Sequence, residues 1–405
     1  MSPNAPPADD PLLRFRSEFP ILERTTYLVS HSLGAMPRGV YDRLRAYADQ
    51  WATRGVRAWA EGWWTMPVEA GDRLGRVLGA PAGTVSMHQN VSIAVGIVLS
   101  CFDWKPPRTK VVVTELDFPT LLYACDAQRR LGAELVVVPG DRDGLGVDTE
   151  RLAAAVDERT ALVVTSHVLY KSAYLQDAAA IAARCRAAGA LFCLDTYQSA
   201  GTVPVDVRAL DVDFAVGGSV KWLCGGPGAA YLYVRPEVAL ALEPRLTGWA
   251  AHAAPFAFEP PPQRYATGAA RFLHGTPAVP ALVSAAAGHD LIAQVGVDRI
   301  RAKSQRQTAL LLGLAESRGF AVNTPRDPRR RGGTVTVDVP ESAAVAAEML
   351  RRDILVDHRP GAGIRLSPHF YTTDAELERA IAAIDEIARE RPYLKRGAAE
   401  AERRF

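Results

Sequence analysis

Short apolar runs separated by helical stretches set the texture of the middle of the chain. Val111-Val112-Val113, Leu135-Val136-Val137-Val138, Leu162-Val163-Val164 and Leu191-Phe192-Cys193-Leu194 have strand length and no polar alternation, and Asp177 to Ala188 has the Ala-rich spacing of a helix. Strand-helix-strand units of this kind predict an α/β fold with a mostly parallel sheet sandwiched by helices, because strands apolar on both faces must be covered on both. Ligands of such sheets sit at the carboxyl ends of the strands. Those ends are where chemistry is to be sought.

Upstream, Tyr27-Leu28 enters a turn from Ser30 to Gly34, and a long helical stretch then carries Trp51, Trp59, Trp63 and Trp64. Such a density of indoles fits either a helix face packed into a core or subunit interface, or the wall of a substrate pocket. Beyond Pro277 come an Ala-rich helix, the run Thr334 to Val339, a helix from about Ser342 and strands at Ile354-Leu355-Val356 and near Ile364-Arg365-Leu366. A capping box of Thr373 and Glu376 opens the last helix, whose apolar stripe is Leu377, Ile381, Ile384 and Ala388. The expected division is a partly disordered N-terminal segment over 1–25, a large domain over 26–280 and a smaller C-terminal α+β domain over 281–405. The basic run Arg326 to Arg331 is expected as a solvated loop.

Composition excludes several classes of function. The 405 residues are 48% hydrophobic and 23% charged, enough apolar material for a large core and too much for disorder or a fibre. A formal charge of +2, spread along the chain, leaves no phosphate-neutralising stripe, so nucleic acid is not an expected partner. The five cysteines form no CxxC pair and read as reduced thiols. The stretch Met1 to Pro11 lacks the pattern of a secretory signal, and charged residues, Gly or Pro interrupt every apolar stretch before membrane length. No membrane partner and a cytoplasmic location are expected.

No GxxxxGK loop, HExxH helix or GxGxxG turn after the first strand is present, and the eight histidines lack metal-ligand spacing, so no metal is expected. What remains is an acid and a lysine at strand ends. Asp195 directly follows the strand Leu191 to Leu194; alone, it could equally be a helix cap or turn residue. Lys221 follows the apolar run Val212 to Val216 through Gly217-Gly218-Ser219-Val220 and leads into Gly225-Gly226-Pro227-Gly228. Of the six lysines, the other five (Lys105, Lys110, Lys171, Lys303 and Lys395) have polar or loop-like surroundings. A desolvated lysine, unlike arginine, can lose its proton, and an unprotonated amine is what a Schiff base needs. An acid, a strand and then a lysine is the arrangement pyridoxal phosphate requires, the carboxylate keeping the ring nitrogen protonated.

The string Asp195-Thr196-Tyr197-Gln198, the Gly-Gly-Ser-Val-Lys-Trp-Leu turn at Lys221 and Ala230 to Val234 resemble the fold-type I, class V aminotransferase family of pyridoxal-phosphate enzymes. Within it the chain is most similar to the kynureninases and their bacterial relatives. Further points of similarity are Tyr27-Leu28 with Ser32-Leu33-Gly34, Phe118-Pro119-Thr120, Ser166-His167-Val168, Gly248-Trp249 with His252, and Gly275-Thr276-Pro277. The resemblance implies that Gln89 and Asn90 hold the cofactor phosphate at a helix N-terminus, a setting that suits an anion. It further implies that Phe118 stacks on the pyridine ring, Ser166 contacts the cofactor, Asp195 pairs with the ring nitrogen and Lys221 forms the Schiff base. Trp249 and Thr276 would reach the phosphate side from a neighbouring subunit, which implies a homodimer with shared sites. Arg365 would clamp the substrate α-carboxylate, a task suited to its planar fork, a surface salt bridge being the alternative. His31 and His252, with the tryptophan cluster, could line an aryl pocket.

The chain also departs from that pattern. Val220 stands where kynureninases have a tyrosine before the lysine, Leu121 where they have an aspartate, Gln198 where they have a histidine, Ala250-Ala251 where an aromatic-Gly pair is expected, and His31 where they have an asparagine. Gln198 can still donate to the cofactor's phenolic oxygen; Val220 and Leu121 cannot replace the groups they displace. The implied activity is hydrolysis of the Cβ–Cγ bond of kynurenine or 3-hydroxykynurenine. A transaminase, epimerase or β-lyase acting on another amino acid is the enzymatic alternative, and a non-catalytic binding or regulatory protein is the alternative of another class. A cysteine desulfurase is disfavoured because Arg359-Pro360-Gly361-Ala362-Gly363 contains no cysteine.

Overall fold

The computed structural model describes residues 10–396. In chain order, β1 (Thr26–Tyr27), α1 (Gly39–Arg54) and α2 (Met66–Leu78) precede β2 (Val85–His88) and α3 (Val91–Leu99). The alternating region follows as β3 (Lys110–Thr114), α4 (Pro119–Ala127), β4 (Glu134–Val138), α5 (Thr149–Ala154), β5 (Thr160–Ser166), α6 (Ala178–Ala188), β6 (Leu191–Asp195), β7 (Phe214–Gly218) and β8 (Ala230–Val234). Then come α7 (Pro236–Ala241), α8 (Val279–Val295), α9 (Val297–Glu316), β9 (Ala321–Val322), β10 (Val335–Asp338), α10 (Ser342–Arg351), β11 (Ile354–Leu355), β12 (Asp357–Arg359), β13 (Gly363–Leu366) and α11 (Asp374–Glu390).

The large sheet has seven strands in the order β2-β8-β7-β6-β5-β3-β4, parallel from β4 to β7 and antiparallel where β8 meets β7 and β2. Alternate residues of its strands feed two separate cores, which is why the runs read as apolar throughout. Val112, Val163, Phe192 and Ala215 pack with Leu74, Ile181 and Ile292 on one face, and Val111, Leu162, Cys193 and Phe214 pack with Val95, Val98 and Leu121 on the other. β4, at one sheet edge, departs most from burial: Val137 is exposed.

A smaller four-stranded sheet, β12-β13-β10-β9, is covered by α9, α10 and α11 around Leu311, Val337, Met349, Ile364 and Ile381. Although α8 begins at the expected domain boundary, its Leu282, Ala285 and Ile292 belong to the first core, as does Ile300 of α9, whereas Leu311, Leu312 and Ala315 of α9 belong to the second. The segment before β1 is ordered from Asp10 onward, and the expected disorder of the earlier residues lies outside the described residues. Leu12, Phe15, Phe19 and Leu22 are buried, and the Phe19 ring lies 4.6 Å from that of Tyr371. β1 runs parallel to β11, which carries the turn holding His31 against the small sheet.

Two expectations need correction. Arg331 is not solvated but buried, donating to Thr308 Oγ1 and the carbonyls of Pro325 and Arg326, while the rest of the run is largely exposed. A buried guanidinium is tolerable when backbone carbonyls satisfy it. Lys110 and Lys303, expected in polar or loop-like surroundings, are buried in polar ones, each 2.7 Å from a carboxylate oxygen, of Asp157 and Asp10 respectively. The five cysteines are free thiols, and among the described residues no helix is long and apolar enough to cross a membrane.

Candidate functional site

β5, β6 and β7 are parallel neighbours in register, Ser166 opposite Asp195 and Asp195 opposite Val216, so their carboxyl ends bring an alcohol, an acid and the lysine turn to one edge. The turn is held there by close backbone contact. Gly34 N–H donates to the Val220 carbonyl at 2.7 Å, and a Cβ on Gly34 would meet the Lys221 carbonyl at 2.1 Å. From the other side Gly288 of α8 lies so close that a Cβ would sit 2.2 Å from the Leu223 carbonyl.

Lys221, Asp195, Ser166, Gln198 and Phe118 line one cavity of about 150 Å³ together with Val91, Thr120, Leu121, Val168, Tyr170 and Tyr197. Asp195 accepts from Tyr197 N–H at 2.9 Å and, more weakly, from Ser166 Oγ at 3.3 Å. Burial pushes its carboxyl up to about 6, with Asp117 adding to the effect and Tyr197 N–H and Lys221 opposing it. Among the described residues the Lys221 ammonium has no ion pair or hydrogen bond; it lies 4.2 Å from the Tyr197 ring centroid and 5.5 Å from that of Phe118. Burial pulls it down to about 8, Asp195 opposing and the Arg365 and Arg359 charges assisting. An unpaired amine near neutrality, an acid behind it and an aromatic face beside it fit a flat pyridine aldehyde that needs a protonated ring nitrogen.

The other expected residues are distributed differently. Asn90 caps α3, its Oδ1 accepting from Ile93 N–H at 3.0 Å, so its side chain serves the helix, and it is Val91 that lines the cavity. Gln89 lines a separate small cavity with His88, His274 and Gly275. Trp249 and Thr276 line a third, of about 510 Å³, with Val56, Trp59, Trp64 and Phe256. Trp64 lies 4.6 Å from Trp249, so two of the four clustered tryptophans form this apolar wall; Trp63 is core and Trp51 is exposed. His252 stays close to the Trp249 loop, its Nδ1 accepting from Ala254 N–H at 3.0 Å.

Gln198 is doubly engaged: its amide nitrogen donates to the His31 carbonyl at 3.0 Å and its oxygen accepts from Trp222 Nε1 at 3.0 Å, leaving one N–H. His31 and Arg365 are both buried and both bonded to Asp357, His31 Nε2 at 2.8 Å and Arg365 Nε at 2.8 Å. Arg365 is thus an ion-paired group rather than an open fork, the salt bridge being internal rather than at the surface.

Sequence reasoning passed over Asp117 and Tyr170. Asp117 is buried and accepts from Thr114 N–H, Thr165 Oγ1 and Ser166 N–H at 2.8, 3.0 and 2.6 Å, so Ser166 links it to Asp195. Its position next to Phe118 was the only available signal. Tyr170 packs edge-on against Phe118 at 5.1 Å and offers its carbonyl to Arg365.

The aminotransferase class-V family model matches residues 26–379. The kynureninase of Pseudomonas fluorescens is 34% identical over 395 residues, covering 94% of this chain and 93% of the relative, and that of Burkholderia pseudomallei (strain K96243) is 33% identical over 399 residues with the same coverage. Among solved structures, the apo cysteine desulfurase of Thermococcus onnurineus NA1 superposes with a TM-score of 0.83 at 21% identity, covering 95% of this chain and 100% of that one. The cystine C-S lyase C-DES, in complex with its product cysteine persulfide, gives 0.82 at 22%, covering 91% and 99%. These two likenesses show the fold-type I architecture alone. With a family match spanning most of its length and an acid, a lysine and an aromatic face gathered at the ends of its parallel strands, the chain belongs to the class V aminotransferases and is a pyridoxal-phosphate-dependent enzyme.

Proposed function

We propose that the enzyme is kynureninase-like: with one water it divides kynurenine or 3-hydroxykynurenine at the Cβ–Cγ bond into alanine and an anthranilate-type acid. The observation that carries this reading is the identity to kynureninases over almost the whole chain, at 34% and 33%. Bound in the cavity at Lys221, pyridoxal phosphate supplies a carbonyl that condenses with amines and a ring that accepts electrons. Lys221 holds the cofactor and, when released, moves the proton at the substrate Cα; its lowered proton affinity suits that exchange near neutral pH. Asp195 holds the proton at the ring nitrogen, Phe118 covers the ring, Ser166 steadies Asp195, and the free N–H of Gln198 serves the phenolic oxygen. The N-terminus of α3, with Gln89 and Asn90 at its entrance, receives the phosphate.

The site is completed by a second copy in this reading. Trp249, Phe256 and Phe258 are large exposed aromatics around a cavity that also holds Thr276, and a patch of this kind favours a protein partner. His252 and the tryptophan wall would then face the substrate's aryl end. Leu121, which lines the cavity, favours a second reading, an aminotransferase, epimerase or β-lyase acting on another amino acid, because it leaves the cavity less polar than the kynureninase pattern.

The deciding experiment is a spectrum of the purified holoenzyme during addition of L-kynurenine and 3-hydroxykynurenine, with alanine and the aryl acid assayed in the same sample. Release of both products in equal amounts is expected. A changed cofactor band without cleavage would overturn the kynureninase reading in favour of the second.

A further inference from the structure

The guanidinium expected to receive a substrate carboxylate already has one. Arg365 donates from Nε and Nη2 to the two oxygens of Asp357, at 2.8 and 2.5 Å, and from Nη1 to the Tyr170 carbonyl at 2.7 Å. Of its five N–H groups three are used, which leaves one on Nη1 and one on Nη2. Asp357 is shared in turn: His31 Nε2 lies 2.8 Å from one oxygen and Arg359 Nη2 lies 3.0 Å from the other. A carboxylate only accepts, so His31 is the tautomer protonated at Nε2, and its burial beside Arg365 keeps the ring neutral.

The charges of this cluster decide what it can bind. Arg365 and Asp357 alone are a neutral pair, and an anion brought onto a neutral pair in a desolvated site would leave an uncompensated charge. Arg359 changes the sum, since two guanidiniums, one carboxylate and a neutral imidazole leave one positive charge. Its place is fixed by a tight hairpin: β12 and β13 pair Arg359 with Gly363, which has φ +118° and whose Cβ would meet the Val337 carbonyl at 2.5 Å. Arg359 is tied to the Arg365 site through Asp357, because its Nη2 and Arg365 Nη2 meet the same carboxylate oxygen.

We infer that Arg359 is a specificity-determining residue that supplies the charge of the substrate-carboxylate site. Asp357 aims Arg365 and cancels its charge, the α-carboxylate is received on the two remaining N–H groups of Arg365, and the Arg359 charge balances the incoming anion. His31 acts through Asp357 as a positioning residue. This inference rests on the reading that the site takes an α-amino acid, and does not depend on which bond is then broken.

The test compares L-alanine with L-alaninamide, binding being read from the change in the cofactor's absorption in wild-type, Arg359→Gln and Arg359→Lys holoenzyme. Wild type should favour the acid. Arg359→Gln should weaken the acid about tenfold or more while leaving the amide unchanged, and Arg359→Lys, which keeps the charge, should recover most of the loss. With a turned-over substrate the same change should appear in KM and be largely restored by Arg359→Lys. Three results would overturn the inference: no preference for acid in wild type, undiminished acid binding in Arg359→Gln, or equal loss of acid and amide, which marks a structural role. If alanine binds as expected but kynurenine is not cleaved, the kynureninase reading fails and the Arg359 assignment stands.

Discussion

Asp117 shows how much of the site rests on a side chain that does not line its cavity. Its carboxylate gathers the N–H groups of Thr114 and Ser166 and the Thr165 hydroxyl in a buried setting, and Ser166 passes that order on to Asp195. Asp117→Ala would leave two buried backbone donors without an acceptor, which predicts a loss of roughly 2–4 kcal/mol in stability by urea unfolding. Asp195 would lose a neighbouring negative charge as well, so its proton affinity should fall. Asp195 and Lys221 were legible in the sequence because each ends an apolar run, and strand ends are where a buried sheet opens to ligands. Asp117 was not legible, since a carboxylate in a turn has no signature until the strands assemble around it. Gln89, Asn90 and Arg365 stand between these cases: their residue types suit an anion, but folding spends the Asn90 side chain on a helix cap and pairs Arg365 with Asp357.

At the level of elements, the Ser32-Leu33-Gly34 turn has a role that its sequence only hinted at. Gly34 has no room for a side chain because its Cα faces the Lys221 carbonyl, and its N–H holds the peptide just before that lysine. Gly34→Ala should therefore push the lysine turn away from Asp195 and weaken cofactor affinity on the order of tenfold or more, as a small displacement in a preorganised site does, with the helical content intact. A cofactor titration beside a far-ultraviolet circular dichroism spectrum would check it; unchanged affinity would mean that the turn can yield. The helices and strands were mostly readable, down to the capping box at Thr373, since period and caps are local properties. β2 lacked such a signal and is defined by its antiparallel pairing with β8.

For the molecule as a whole, the buried histidines set a pH limit. His31, His88 and His369 are pulled down to about 3, and His167 and His289 to about 4, burial being the main cause in each. Each leaves Nδ1 without a partner in the interior, so a second ring proton would have nothing to bond to. Their folded proton affinity lies below the unfolded one. The stability they allow is therefore complete above about pH 6.5 and lost as pH falls toward their folded values, each costing on the order of 1.4 kcal/mol per pH unit within that window. Melting temperature should accordingly fall steadily between about pH 6.5 and about pH 4, and a flat profile would contradict the assigned protonation states.

What the sequence determined by itself was the alternating architecture, the order of acid, strand and lysine, and membership of a pyridoxal-phosphate family, because these depend on periodicities and motifs that lie close together along the chain. Which residues share a cavity was decided only in three dimensions. The meeting of β1 with β11 brings His31 to Asp357, and the β12–β13 hairpin brings Arg359 and Arg365 onto that same carboxylate. Those partners are more than three hundred residues apart in one case and a single hairpin apart in the other. Electrostatic character follows such distances in space, so the charge of the cluster around Asp357 and the proton affinity of Lys221 belong to the fold.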